Sequence, residues 1–233
     1  MLNSAWSEVL RSDLDKLSQP TTTRAKTPVP VLKEGERRIV TILFLDIQGF
    51  TAMSEKLDPE DVQLIIDNCF KILTNEIEKY SGFIDKYEGD RLMALFGSRQ
   101  ASEIDCEQAL RAALGMKDKF QEINRILAER EIRIGVRVGV NTGLVVTGRI
   151  GKGREQDFTV MGDAVNLASR LETNAPPNEI MISEEAKRSA GDVFLYEDLG
   201  NIEVKGKSEP ISVFCVKGLN PHRAERWERS PFK

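Results

Sequence analysis

The spacing of apolar positions changes repeatedly along the chain, and each change marks an element. Trp6, Leu10, Leu14 and Leu17 recur at helical spacing and predict an amphipathic helix over residues 1–17. It reads either as a dimerising or signal-relaying helix or as a frayed end. Pro20, Pro28, Pro30 and a threonine run make residues 18–36 an extended linker. Residues 38–47, RIVTILFLDI, form a β-rich run suited to a central strand. Asp58-Pro59-Glu60-Asp61 is a helix start, with a capping Asp, Pro in the first turn and acids favoured by the helix dipole. Val62, Ile65, Ile66, Cys69, Ile72 and Leu73 supply its buried stripe, and Gly82 suits its end. Residues 83–96 read as a hairpin turning at Glu88-Gly89-Asp90, and Ala109 to Leu127 as a second long helix. Ile132, Ile134, Val136, Val138 and Val140 alternate as in a half-buried strand, which Asn141-Thr142-Gly143 is expected to turn into residues 144–148. A loop, a helix from about Asp163, a strand at 180–182 and a hairpin around 204–210 complete the pattern.

This order is β-α-β-β-α-β with additional strands. It predicts an α+β, ferredoxin-like fold with helices largely on one face of the sheet, like the palm domains of nucleotide-handling enzymes. The domain is expected over residues 37–219, followed by a polar tail at 220–233.

Composition narrows the chemistry. Net charge is -4 and no basic stripe appears, which argues against nucleic acid as a partner. No apolar run approaches a membrane span and no secretory signal opens the chain, so no direct membrane insertion is expected. Cys69, Cys106 and Cys215 lack metal-site spacing and read as buried thiols of a cytoplasmic protein. The one histidine, His222, lies in the tail, which nearly excludes triads and zinc chemistry. Carboxylates, lysines and arginines must carry any reaction.

Asp46 ends the first strand and Asp90 sits at the hairpin turn. If those strands pair, both carboxylates reach one sheet edge, where a hard Mg²⁺ with oxygen ligands would relieve their repulsion. The plainer alternative is that each acid serves only its own turn. Asn166 and Arg170 lie four apart and share a helix face, suiting phosphoryl chemistry or, more plainly, a surface Arg and a packing Asn. The glycine-rich stretch 143–153 is expected to be a loop but is no P-loop, because Arg149-Ile150 stands where Lys-Ser/Thr is required. Val204-Lys205-Gly206-Lys207 puts two lysines at a tight turn, suited to triphosphate oxygens or simply solvated.

The segments FLDIQGFT (44–51), KYEGD (86–90), GDAVNLASR (162–170) and VKG (204–206) together resemble the class III adenylyl/guanylyl cyclase family. The likeness spans residues 37–216. It implies that Asp46 and Asp90, helped by the Ile47 carbonyl, bind two Mg²⁺ or Mn²⁺ ions. It also implies that Lys86 and Thr159 contact the base, Asn166 orients the ribose, Arg170 stabilises the α-phosphoryl group and Lys205 holds the terminal phosphates. The implied reaction is conversion of ATP to 3′,5′-cyclic AMP and pyrophosphate, by a homodimer with two sites at the subunit interface. Guanylyl cyclase and a catalytically silent dimerisation or sensing module are the alternatives. Lys86 donates only, and Thr159 can accept from the adenine amine, which favours ATP over GTP. Two positions depart from common patterns: Leu144 stands where some relatives carry a basic residue, and Thr159 where many adenylyl cyclases carry Asp. Thr159 resembles the bicarbonate-responsive subclass. Loss of a negative charge there would reduce repulsion of a small anion, so bicarbonate is a further expected partner.

Overall fold

The computed structural model describes residues 2–19, 34–150, 157–204 and 209–223. The elements run α1 (Leu2–Leu17), β1 (Arg37–Gln48), α2 (Phe50–Ser54), α3 (Pro59–Lys79), β2 (Phe83–Glu88), β3 (Arg91–Phe96), α4 (Asp105–Leu127), β4 (Gly135–Ile150), β5 (Asp157–Met161), α5 (Asp163–Asn174), β6 (Ile180–Ser183), α6 (Glu184–Ala190), β7 (Phe194–Ile202) and β8 (Ile211–Leu219). Seven strands form one sheet in the order β2-β3-β1-β4-β6-β8-β7, and β5 pairs with the far end of β4. The β4–β6 pair is parallel and the other pairs are antiparallel. This is the α+β arrangement the element order predicts.

Alternation along β1 sorts the two faces. Leu43, Leu45 and Ile47 enter the main core with apolar residues of α3, α4 and α6, including Ile65, Leu73, Phe120 and Ala186. Val40, Ile42 and Phe44 point the other way, into a smaller cluster with Met93, Leu95 and Ala168 of α5. Among the described helices, α5 is the one packed on this second face. Leu10 and Leu14 of α1 are fully buried in the main core, and Asn75 of α3 donates to the Ser18 carbonyl at 2.7 Å. The first helix is therefore docked on α3 and α4 rather than frayed.

Two local expectations need correction. The predicted turn at Asn141-Thr142-Gly143 does not occur, and 143–150 is not a loop: β4 continues unbroken to Ile150. Its whole length is held by pairing with β1, from Gln48↔Gly135 to Arg37↔Val146, and then with β5. The turn-forming residues serve α5 instead. Asn141 donates to the Ala164 carbonyl at 2.9 Å, and a Cβ on Gly143 would stand 2.8 Å from that of Ala164. The first long helix ends as expected at Gly82, whose amide donates to the Ile77 carbonyl at 2.9 Å, with Ser81 just before it in the left-handed conformation (φ 63°). Of the stripe predicted for that helix, Ile66 is only partly buried. Residues 151–156 and the 205–208 turn lie outside the described residues, although Ile202↔Ile211 pairing supports the final hairpin.

Gly139 sets how closely α5 approaches the sheet. A Cβ there would lie 2.1 Å from the Glu172 amide nitrogen and 2.4 Å from the Ala168 carbonyl oxygen, both rigid backbone. Gly139→Ala is expected to lift α5 from β4 and cost at least ~1–3 kcal/mol. Urea unfolding would show it as a lowered midpoint with an unchanged slope. An unaltered midpoint would mean that the helix is free to move.

Candidate active site

Strand pairing brings the two predicted acids together. Asp46 pairs with Arg91 in the β1–β3 register, next to the turn residue Asp90. The Ile47 amide donates to the Asp90 carbonyl at 3.0 Å, fastening the hairpin tip to the end of β1. Asp46 lies on the same face as Phe44, beneath the C-terminal part of α5, with its side chain 14% exposed. Asp90 is exposed.

Three charged groups surround Asp46, and sequence reasoning named none of them. Arg137 of β4, its cross-strand partner, donates to Asp46 Oδ2 at 3.0 Å and to the Thr173 carbonyl at 3.5 Å. Arg91 pairs with Glu172, which is almost fully buried on α5. Burial pushes the Glu172 carboxyl above the usual carboxylate range, against the opposing pull of Arg91. These two pairs tie the last turns of α5 to the strand ends that carry the acids. Arg137 alternates with the buried Val136 and Val138, so its face was legible, but its partner depends on a register that no local pattern gives.

Asn166 is exposed and Arg170 half-buried on α5. Among the described residues, no hydrogen bond or ion pair joins either side chain to Asp46 or Asp90. Lys86 stands in β2 opposite Met93, half-exposed, with Glu88 at 3.4 Å. Thr159 is buried in β5 and its hydroxyl donates to Asp85 Oδ2 at 2.5 Å, so Thr159 and the Lys86 segment come together. Asp85 is another residue the sequence did not single out. Lys205 lies outside the described residues. The thiols are remote from this chemistry: burial pushes Cys69 up to about 12 and Cys106 up to about 11, which leaves them inert.

The carboxylates of Asp46 and Asp90 offer oxygen donors, which suit a hard divalent cation, with Asp46 Oδ2 held by Arg137 in this structure. Among the described residues no group of three or more carboxylate, His or Cys side chains converges. Two carboxylates and a carbonyl are a set that Mg²⁺ completes with substrate phosphates and water.

Residues 32–218 match the family model described as the adenylate and guanylate cyclase catalytic domain. The chain belongs to this family. Its cyclase domain is 38% identical over 190 residues to an adenylate cyclase of Anabaena cylindrica, covering 77% of this chain and 37% of that one. It is 30% identical over 191 residues to the guanylate cyclase soluble subunit beta-2 of Rattus norvegicus, covering 80% and 27%. The match therefore spans little more than a third of these curated relatives at most. Among solved structures, the adenylyl cyclase CyaB from P. aeruginosa superposes with a TM-score of 0.76 at 33% identity, covering 81% of this chain and 98% of that one. The guanylyl cyclase Cya2 superposes with a TM-score of 0.73 at 30% identity, covering 81% and 96%. Adenylyl and guanylyl enzymes stand side by side among these relatives, so likeness alone leaves the base open. No described helix of this cyclase domain is long and apolar enough to cross a membrane.

Proposed function

We propose that this domain converts ATP to 3′,5′-cyclic AMP and pyrophosphate, in two active sites formed between two copies of the chain. The carrying observation is the junction of Asp46 with the Asp90 turn through the Ile47–Asp90 hydrogen bond, at the open end of β1 and β3. Asp46, Asp90 and the Ile47 carbonyl would hold the divalent cations. Bound there, Mg²⁺ or Mn²⁺ supplies neutralisation of phosphate oxygens and a more acidic 3′-hydroxyl. The 3′-hydroxyl would give its proton to water, its oxygen bonding to the α-phosphorus as the bond from that phosphorus to the bridging oxygen breaks and pyrophosphate leaves. Asn166 orients the ribose for that in-line attack, Arg170 meets the charge growing on the α-phosphoryl group, and Lys205 holds the terminal phosphates.

Exposure of Asn166, together with the absence of a described link from it or Arg170 to the acids, supports completion of the site by a second copy. An apolar surface supports the same arrangement. Ile39, Leu144, Val146 and Met161 are all exposed, and the pairs Ile39↔Leu144 and Val146↔Met161 put them on one face of the β1–β4–β5 extension. Leu144, where a basic residue would have served the triphosphate, belongs to this face.

Lys86 and Thr159 support adenine. Lys86 donates to N1, while Thr159 accepts from the 6-amino group; guanine instead offers N1–H and a 2-amino group, and Lys86, a donor only, cannot receive either. Purified protein with Mn²⁺ or Mg²⁺ should form cyclic AMP and pyrophosphate in equal amounts from ATP, and far less product from GTP. Lys86→Glu combined with Thr159→Cys should move the preference toward GTP by about tenfold for each corrected contact. An ATP/GTP ratio unmoved by both changes would show that these residues do not read the base.

The bicarbonate expectation loses its electrostatic ground. Thr159 was to relieve the region of a negative charge, but the Asp85 carboxylate stands 2.5 Å from its hydroxyl.

A further inference from the structure

We infer that Asp85 is a specificity-determining positioning residue, which fixes the Thr159 hydroxyl as a hydrogen-bond acceptor toward the 6-position of the purine. The inference rests on the proposal that Thr159 faces the base.

The β2–β3 pairing skips one residue. Ile84 pairs with Ala94 and Lys86 with Met93, so Asp85 is the extra residue of a bulge. Bulges re-aim side chains, and here the result is a contact between distant strands. Asp85 Oδ2 receives the Thr159 hydroxyl at 2.5 Å, a separation typical of a hydroxyl donating to a carboxylate. Thr159 is only 6% exposed, so little water competes for the proton.

A threonine hydroxyl has one hydrogen and two lone pairs. Left to rotate, it would serve either purine, donating to the 6-oxo group of guanine or accepting from the 6-amino group of adenine. An ionised carboxylate cannot donate, so the proton between the two oxygens belongs to Thr159 and points at Asp85. What remains for a ligand is lone pairs. Adenine matches them, whereas guanine would set its carbonyl oxygen against the hydroxyl oxygen. Thr159 thus distinguishes the bases only because Asp85 holds its hydrogen. Lys86, the next residue, can donate to adenine N1 or to guanine O6 and does not make this distinction alone.

The test compares kcat/KM for ATP and GTP in Asp85→Ala, near-isosteric Asp85→Asn, Thr159→Val and Asp85→Ala/Thr159→Val proteins. Asp85→Ala should lower the ATP-over-GTP ratio about tenfold, partly through a gain with GTP, because the freed hydroxyl can donate to O6. Asp85→Asn should lower it less. Thr159→Val should lower the ratio through loss with ATP, and the double variant should add nothing to Thr159→Val. Binding of 3′-deoxy-ATP and 3′-deoxy-GTP, which cannot cyclise, should show the same shifts by calorimetry, and serves as the readout for any variant that folds but does not turn over. A merely structural role for Asp85 would reduce both nucleotides in proportion and leave the ratio fixed. If Thr159→Val changes the ratio and neither Asp85 variant does, the Asp85 inference is wrong while the base-contact proposal stands. If Thr159→Val also leaves it unchanged, both are wrong.

Discussion

Asp90→Ala is expected to lower cyclic AMP formation by at least roughly 10²–10³-fold with no loss of fold, and Asp46→Ala to do the same at a small cost in stability. The size follows from what each carboxylate would supply. In the proposed site two carboxylates and one carbonyl would hold the cations, so removing either acid would take away a large part of that anchorage, and with it the charge that balances the phosphates. The two variants should differ away from the active site. Asp90 is exposed at a turn whose attachment to β1 runs through its backbone carbonyl, which alanine retains. Asp46 is paired with Arg137, whose side chain is 29% exposed, so solvent can receive the guanidinium once its partner is gone. The expected loss for Asp46→Ala is therefore about 1 kcal/mol or less. Thermal unfolding would establish the fold of both, and Mn²⁺ titration with 3′-deoxy-ATP would report weakened cation binding independently of turnover. Near-normal cyclic AMP formation by well-folded Asp46→Ala protein would remove Asp46 from the site.

The parts of this site that could be read from the sequence are those fixed by local signals. Asp58-Pro59 announced α3, which begins at Pro59, and the β-rich apolar run over residues 38–47 announced β1 with Asp46 near its end. The hairpin turn then had to bring Asp90 close if the strands paired, as they do. What could not be read depends on register and on packing between distant segments. Arg137 reaches Asp46 because Asp46↔Arg137 is one rung of the β1–β4 ladder. Asp85 reaches Thr159 because a bulge in β2 turns it toward β5, and the two lie 74 residues apart. Asn141-Thr142-Gly143 misled for the complementary reason. The same residue types that make turns also allow a helix to lie close on a strand, and a long ladder with β1 together with α5 decided between the two uses.

The Arg91–Glu172 and Arg137–Asp46 pairs give the site a rigid base. They join α5 to β3 and β4 at the point where the acids emerge, so Asn166 and Arg170 ride on a helix held against the sheet at its C-terminal end. Those two side chains are then carried at a set position on α5, where the proposed dimer would bring them to the acids of another copy. A homodimer in which each copy gives acids to one site and Asn166 with Arg170 to the other has two equivalent sites about a two-fold axis. Each site can then be disabled from either side.

Mixing two inactive variants tests this arrangement most directly. Asp46→Ala protein lacks an acid, and Arg170→Ala protein lacks the group that meets the α-phosphoryl charge, so each alone should be nearly silent. In a heterodimer, the acids of the Arg170→Ala chain meet the Arg170 of the Asp46→Ala chain, and one of the two sites is entirely wild type. With chains exchanged at random, half of the dimers are mixed and each carries one working site. Cyclic AMP formation should therefore return to roughly a quarter of the wild-type rate at equal total protein. Isotope-labelled chains and native mass spectrometry would count the heterodimers in the same samples. The account predicts activity that rises in proportion to that count. Heterodimers present in the expected amount with no recovery of cyclic AMP formation would contradict it.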